Sequence, residues 1–347
     1  MRNLHFCPQS VEELDLLASE PDRGVIETLG HFDGDILVAG AGGKMGFHLS
    51  LMLRRALDIL GSGRRVFAVS RFGSEESRKP FDDAGIAVLP ADLCEPRDLA
   101  NLPDADTVFF LAGKKFGTAG ASDELRRFNE EMPARFAERF ASASVVAMST
   151  GCVYPFVGPE SGGSREVDPA EPSGDYAISC LGRERAFLEA SERYGTQLAL
   201  VRLNYSVDLR YGVLVDLATR ILSGEPVDLT TGYFNCIWQG DAVRHMIRAL
   251  DLAAPFPQAD ILNVTGSRVL SVREVAEQLG ALLNLVVEFT GEESETAWLN
   301  DASRAHGLFG APKISEDTLI EWVAEWCGHG RPLLGKPTCF EVRDGHF

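Results

Sequence analysis

Between Asp35 and Leu203 the chain repeats one pattern. Short unbroken apolar runs are "DILVAG" (35–40), "RVFAVS" (65–70), "IAVLP" (86–90), "DTVFFLA" (106–112), "SVVAMS" (144–149) and "QLALVRL" (197–203). They alternate with longer stretches in which apolar residues recur at helical spacing. A strand that is apolar on both sides must be covered on both sides, as in a parallel sheet between two layers of helices. At least six such strands in this order predict a doubly wound α/β fold.

The flanks read differently. "SVEELDLLASEP" carries Ser10 with Glu13 three positions on, a helix-start signature, and a second helix is expected over 22–30. Residues 1–34 are therefore expected to form an N-terminal helical extension. The alternation weakens after Asn204. The expected division is a dinucleotide-binding domain over 35–205 and 235–265, a smaller substrate-binding lobe over 206–234 and 266–330, and a tail over 331–347. Ligands of such folds sit in the crevice at the strand ends.

"GAGGKMG" joins the first strand to the first long helix, with glycines at 40, 43 and 46. Gly40 permits a sharp turn, Gly43 lets backbone approach a phosphate, and Gly46 lets the helix pack closely on the sheet. The helix N-terminus adds unpaired N–H groups and a positive dipole. In this strand–loop–helix setting the motif predicts dinucleotide binding. The second strand ends in Ser70 and Arg71, where NAD binders usually carry an acid. A hydroxyl beside a guanidinium suits a 2′-phosphate, favouring NADP over NAD. The other reading is a solvated Arg71 with the ribose bonded to Ser70. Asp92 follows the third strand, on the adenine side.

Composition narrows the partners. A net charge of −18 opposes binding to nucleic acid or to an anionic membrane. No apolar run approaches the ~18 residues of a bilayer span, and no secretory signal is visible, so a cytoplasmic location is expected. The seven cysteines are scattered without a CxxC pair, and Cys327, His329 and Cys339 have no metal-site spacing, so no metal is expected.

The glycine loop, "DL" at 92–93, "FLAGKKFG" at 110–117, "MSTGCVY" at 148–154 and "YAISCLGRE" at 176–184 together resemble the extended short-chain dehydrogenases, the NAD-dependent epimerase/dehydratase family. "LAGKK" is similar to the fourth-strand end of UDP-galactose 4-epimerases. The resemblance implies that Gly40, Gly43, Lys44, Met45 and Gly46 cradle the pyrophosphate. Asp92 and Leu93 would meet the cofactor, and Leu111, Ala112 and Gly113 would line it beside the nicotinamide ribose. Lys115 falls where the 4-epimerase has a cofactor-contacting lysine. Thr150 matches the catalytic Ser/Thr with Ser149 beside it. Tyr176 matches the catalytic tyrosine and Glu184 a glutamate eight residues on. A homodimer through the helices at about 122–143 and 175–194 is implied too.

One position departs: the family has lysine where this chain has Cys180. That lysine lowers the phenol pKa from its ordinary value of about 10 and holds the nicotinamide ribose. A thiol does neither. Another cation, Lys115, Lys114 or Arg183, could substitute. Alternatively the chemistry needs less base, or catalysis is lost, or Cys180 is itself a nucleophile, or it is a small buried residue. The function expected is NAD(P)-dependent oxidation, reduction or epimerisation of a sugar-like hydroxyl or carbonyl, with Tyr176 as general acid/base. The alternative is a cofactor-binding sensor or scaffold without turnover. For a substrate diphosphate, Arg210, Arg220 and Arg268 are the cations available in the smaller lobe.

Overall fold

The structure is a computed structural model that describes residues 6–115 and 122–343. The end of "FLAGKKFG", Phe116 and Gly117, lies outside the described residues. Helices α1 (Val11–Ala18) and α2 (Arg23–Gly30) come first, capped by the side chains of Ser10 and Asp22. The alternating core follows: β1 (Ile36–Ala39), α3 (Gly46–Ile59), β2 (Val66–Ser70), α4 (Glu75–Asp83), β3 (Ala87–Pro90), α5 (Pro96–Ala100) and β4 (Thr107–Phe110). Helix α6 (Ser122–Arg126) passes through one π-helical turn (Arg127–Glu131) into α7 (Met132–Arg139), and β5 (Ser144–Thr150), α8 (Asp175–Tyr194) and β6 (Gln197–Leu203) complete the pattern.

The remainder is β7 (Ser206–Val207), α9 (Val213–Ser223), β8 (Val227–Asp228), β9 (Tyr233–Phe234), β10 (Ile237–Trp238), α10 (Gln239–Arg248), β11 (Asp260–Val264), β12 (Leu270–Ser271), α11 (Val272–Leu283), β13 (Phe289–Thr290), α12 (Ser303–Phe309) and α13 (Glu316–Gly328). Among the described residues the main sheet has seven strands in the order β11-β6-β5-β4-β1-β2-β3, and every pairing in it is parallel. This is the doubly wound α/β architecture that the apolar runs predict.

Burial explains those runs. All four residues of β1 and of β4 are buried, with one helical layer on each side. On one face Phe110, Phe136, Phe140 and Phe187 interlock, with Phe110 at 4.8 Å from Phe136 and 5.0 Å from Phe187 between ring centroids. They bind α7 and α8 to the sheet, and each buried ring is worth ~1.5–3 kcal/mol. On the other face α2, α3 and α10 share one apolar cluster. A separate core joins α1, α9, α11 and α13 around Phe234, Trp238, Trp322 and Trp326. Phe340, from the segment after α13, is buried in that same core.

Strands β1 and β4 are adjacent, and their chains leave toward opposite faces. A crevice opens there, at the carboxyl ends of the strands. Ala39 lies level with Val69 on one side and Phe110 on the other, so the loops after β1, β2 and β4 meet at one place.

Candidate functional site

The glycine loop forms the floor of that crevice. Gly40 has φ +84°, and a Cβ there would lie 2.7 Å from the backbone nitrogen of Ala112. Only glycine satisfies both conditions. A Cβ on Gly46 would lie 2.4 Å from the carbonyl oxygen of Ala41, so α3 can begin this close to the loop only with glycine. Met45 precedes α3 without a side-chain cap, leaving the helix N-terminus to face the crevice with its N–H groups and dipole. Gly42, which the G-x-x-G-x-x-G spacing does not single out, packs its backbone against Ser70 Oγ.

From this floor a cavity of about 250 Å³ runs toward the outer strands, lined by Gly40, Gly43, Ser70, Arg71, Asp92, Leu93, Leu111, Ala112 and Gly113. Among the described residues Arg71 enters no ion pair, and its side chain is exposed. Next to it Phe72 holds φ +41°, a conformation a bulky side chain adopts only when its surroundings require it. Asp92 Oδ1 accepts from the Cys94 N–H at 2.9 Å, which shapes the turn after β3. A cradle that a Cβ would fill, an uncapped helix N-terminus and an unpaired guanidinium at the second strand end together fit a dinucleotide.

A second cavity of about 600 Å³ continues from the same glycines toward the smaller lobe. Its walls include Lys44, Met45, Gly46, Lys115, Thr150, Cys152, Tyr205, Tyr211 and Gln239. Thr150 Oγ1 accepts from the Cys152 N–H at 3.2 Å, and its hydroxyl also bonds the Cys152 side chain. Tyr205 sits on the wall with φ +38°. Lys44 Nζ lies 3.0 Å from the Tyr211 ring centroid.

Tyr176 is half-buried and is not among the residues lining this cavity. Lys115 Nζ is 6.0 Å from its ring centroid. Burial pushes the Tyr176 phenol well above its ordinary range, and Cys180, hydrogen-bonded to it, adds to that, while Arg183 opposes. Cys180 is fully buried among Val153 and Tyr154. Burial raises its thiol pKa as well, which removes the thiolate a nucleophile needs.

The other sequence candidates divide. Lys114 is committed to Glu124 at 2.5 Å. Arg183 is buried, donating to Asn129 Oδ1 at 2.8 Å and to the Met148 carbonyl at 3.1 Å. Ser149 does not face the cavity. Successive strand residues point to opposite sides, and its hydroxyl donates to Glu184 at 2.5 Å. Glu184 is in turn paired with Arg202 at 2.7 Å in a buried cluster beneath the strand ends. The arginines considered for a diphosphate are all paired: Arg210 with Asp15 and Asp208, Arg220 with Glu341, and Arg268 with Asp317.

Two contributors were not visible in the sequence. Asn129, on the π-helical turn, bonds both backbone groups of Lys114 and so fixes the loop after β4. The segment after α13 returns to the cavity and places Lys336 and Thr338 on its wall. Thr338 is fastened to Asp216 through its N–H at 2.8 Å and its hydroxyl at 2.6 Å. A polar residue in a helical run and a Pro/Gly-containing tail carry no signal for either role.

Residues 36–264 match the NAD dependent epimerase/dehydratase family. No curated protein matches the sequence. The fold is similar to that of UDP-glucuronic acid 4-epimerase from Bacillus cereus in complex with NAD, at TM-score 0.70 and 17% identity over 85% of this chain and 99% of that one. UDP-glucose 4-epimerase of Thermotoga maritima, with UDP-glucose, gives TM-score 0.69 and 16% identity over 85% and 99%. A double mutant of the dTDP-glucose 4,6-dehydratase DesIV from Streptomyces venezuelae, with NAD bound, gives TM-score 0.70 and 20% identity over 84% and 96%.

Proposed function

The chain belongs to the NAD-dependent epimerase/dehydratase family, and from that premise we propose that it moves a hydride between NADP and a sugar-like carbinol or carbonyl, with Tyr176 exchanging the proton. The observation that carries this reading is Lys115 Nζ, 6.0 Å from the Tyr176 ring, on the cavity wall that also bears Thr150. Burial holds its pKa below the ordinary lysine range, and the anionic cofactor beside it would favour its charged form, supplying the cation that Cys180 does not.

When bound, the nicotinamide dinucleotide gives or takes the hydride. The chain's residues have the remaining tasks. Gly40, Gly43, Lys44, Met45 and Gly46 would hold the pyrophosphate, and Leu111, Ala112 and Gly113 the nicotinamide side. Asp92 and Leu93 would flank the adenosine with Ser70, and Arg71 would take the 2′-phosphate. Thr150 would turn its hydroxyl from Cys152 to the substrate oxygen and hold that oxygen in line. Tyr176, held protonated by burial, is set to donate its proton in the reducing direction. In the oxidising direction Lys115 and Arg183 stabilise the phenolate left behind. Ser149 serves through Glu184 and Arg202, fixing the end of β5. Residues 35–205 with 235–265 would be the cofactor half and 206–234 with 266–330 the substrate half. Pairing of two copies along 122–143 and 175–194 would give a homodimer.

The test is NADPH oxidation at 340 nm across a panel of keto sugars and sugar derivatives. Turnover by the wild type that Tyr176→Phe abolishes supports the reading. Turnover unchanged in Tyr176→Phe overturns it. The set-back position of Tyr176 and its bond to Cys180 favour a second reading, a cofactor-binding sensor or scaffold. Tight NADP binding with no turnover across the panel would select that one.

A further inference from the structure

We propose, building on the reading that the glycine loop holds a dinucleotide pyrophosphate, that Asp15, His48 and Gln239 are a relay of positioning residues that orients the peptide between Lys44 and Met45. The relay starts on the N-terminal extension. Asp15 lies on α1, ahead of the family match, which begins at residue 36. His48 sits in the first turn of α3, and Gln239 opens α10. Both His48 and Gln239 are 1% exposed.

The partners fix where each hydrogen goes. The Lys44 carbonyl oxygen can only accept, so the Gln239 amide turns its nitrogen toward it, at 3.1 Å. The same nitrogen lies 2.6 Å from His48 Nδ1, which therefore accepts. The imidazole proton is then on Nε2, which donates to Asp15 Oδ1 at 2.7 Å. Arg210 also approaches Nε2, at 3.3 Å. A proton on Nδ1 would face the hydrogens of Gln239, so with Asp15 in place the order stands. Both hydrogens of the Gln239 amide are spent, one on His48 and one on the glycine loop.

The consequence lies on the other side of that loop peptide. The Lys44–Met45 bond is trans, so its N–H points opposite to its carbonyl. With the carbonyl held at Gln239, the Met45 N–H is turned away from it. That N–H has no hydrogen-bond partner among the described residues, and Met45 lines the cavity. No side chain caps α3 at Met45. Were this peptide to rotate, the negative end of its carbonyl would face the phosphate in place of the N–H and repel it. The relay thus gives the N-terminal extension a part in holding the cofactor.

The test is calorimetric titration of the full chain with NADP and NAD, beside spectra of protein labelled with 15N-histidine. In the wild type the His48 signal, identified by its loss in His48→Phe, should show Nε2 protonated and Nδ1 bare. Asp15→Ala leaves the cavity wall intact. It leaves Arg210 as the nearest partner of Nε2 and should move the proton to Nδ1, against Gln239. Asp15→Ala and Gln239→Met should each weaken the dinucleotide that the wild type binds more tightly by about tenfold, the effect of misplacing one charge-assisted hydrogen bond. Where Gln239→Met does not fold, Asp15→Ala carries the test. A wild-type His48 protonated on Nδ1, or dinucleotide affinity unchanged in either variant, would overturn the relay and leave the cofactor reading standing. A wild type that binds neither dinucleotide would overturn the cofactor reading, and the relay with it.

Discussion

Lys115 Nζ stands 6.0 Å from the centroid of the Tyr176 ring, and it arrives there from the loop after β4, not from the tyrosine's own helix. The helix offers Cys180 one turn on, buried and bonded to the phenol. A cation to tune this phenol would thus come through tertiary structure. Asn129 keeps it in place by holding both backbone groups of Lys114.

Replacing that cation should cost rate and spare the fold. Lys115→Met is expected to lower kcat by about 10²–10⁴, the usual worth of a positioned proton-transfer system. The circular dichroism spectrum should change little, and any loss of NADP affinity is read separately. Steady-state kinetics beside a cofactor titration check this. A variant with wild-type kcat would show that Lys115 does not serve the phenol.

Restoring lysine at position 180 should not help. Cys180 is fully buried against Val153 and Tyr154, with Arg183 close by. A longer, charged side chain there meets overpacking and like-charge repulsion, at about 2–4 kcal/mol. Cys180→Lys is expected to unfold at lower denaturant and to gain no activity. A stable, faster Cys180→Lys would mean that the cysteine had displaced a function that Lys115 does not cover.

The fold was legible because its strands are buried on both faces. A residue such as Val38 or Phe109 can be apolar without regard to alternation, and the runs declare themselves. The glycine loop was legible because Gly40 and Gly46 each answer to a backbone contact that forbids a side chain. Tyr176 and Thr150 were singled out by the family resemblance. Three things were not legible. Ser149 and Thr150 are neighbours in sequence yet face opposite ways, which the buried Glu184 on one side explains. Asn129 bonds Lys114, and the tail brings Lys336 to the cavity wall, from places far away in the chain, and local sequence does not encode those approaches. Arg210 and Arg220 of the smaller lobe read as available in part because Asp15 and Glu341, which pair with them, lie in the extension and the tail.

Cofactor choice rests on Arg71. Its guanidinium is exposed beside Ser70 and lines both cavities. A charge-assisted hydrogen bond to a 2′-phosphate is worth about 1.5–3 kcal/mol. Arg71→Ala should therefore raise the NADP Kd about 10–100-fold while the NAD Kd stays within twofold. Equal losses for both dinucleotides, measured by fluorescence titration, would remove the reason to prefer NADP.

Stability should fall with acid through His245. Burial pushes this imidazole down to about 4 from 6.5, and the neighbouring His306 and Arg248 add to the shift. The unfolded chain therefore binds a proton that the folded chain refuses. Stability is whole above pH 6.5 and is lost as pH falls from 6.5 toward 4, by about 1.4 kcal/mol per pH unit and on the order of 3 kcal/mol in all. His245→Phe should flatten that part of the profile in denaturant melts at pH 7.5, 6 and 5. An unchanged slope would place the acid sensitivity elsewhere.

The central claim is that Tyr176 and Lys115 work as one unit, and a double-mutant cycle on kcat/KM tests it most directly. Wild type, Tyr176→Phe, Lys115→Met and the double variant would be compared on one substrate at saturating NADPH. If the lysine acts through the phenol, the double variant is no slower than the slower single variant, because removing either member already disables the pair. Losses that multiply, or a Tyr176→Phe variant as fast as the wild type, would contradict the account.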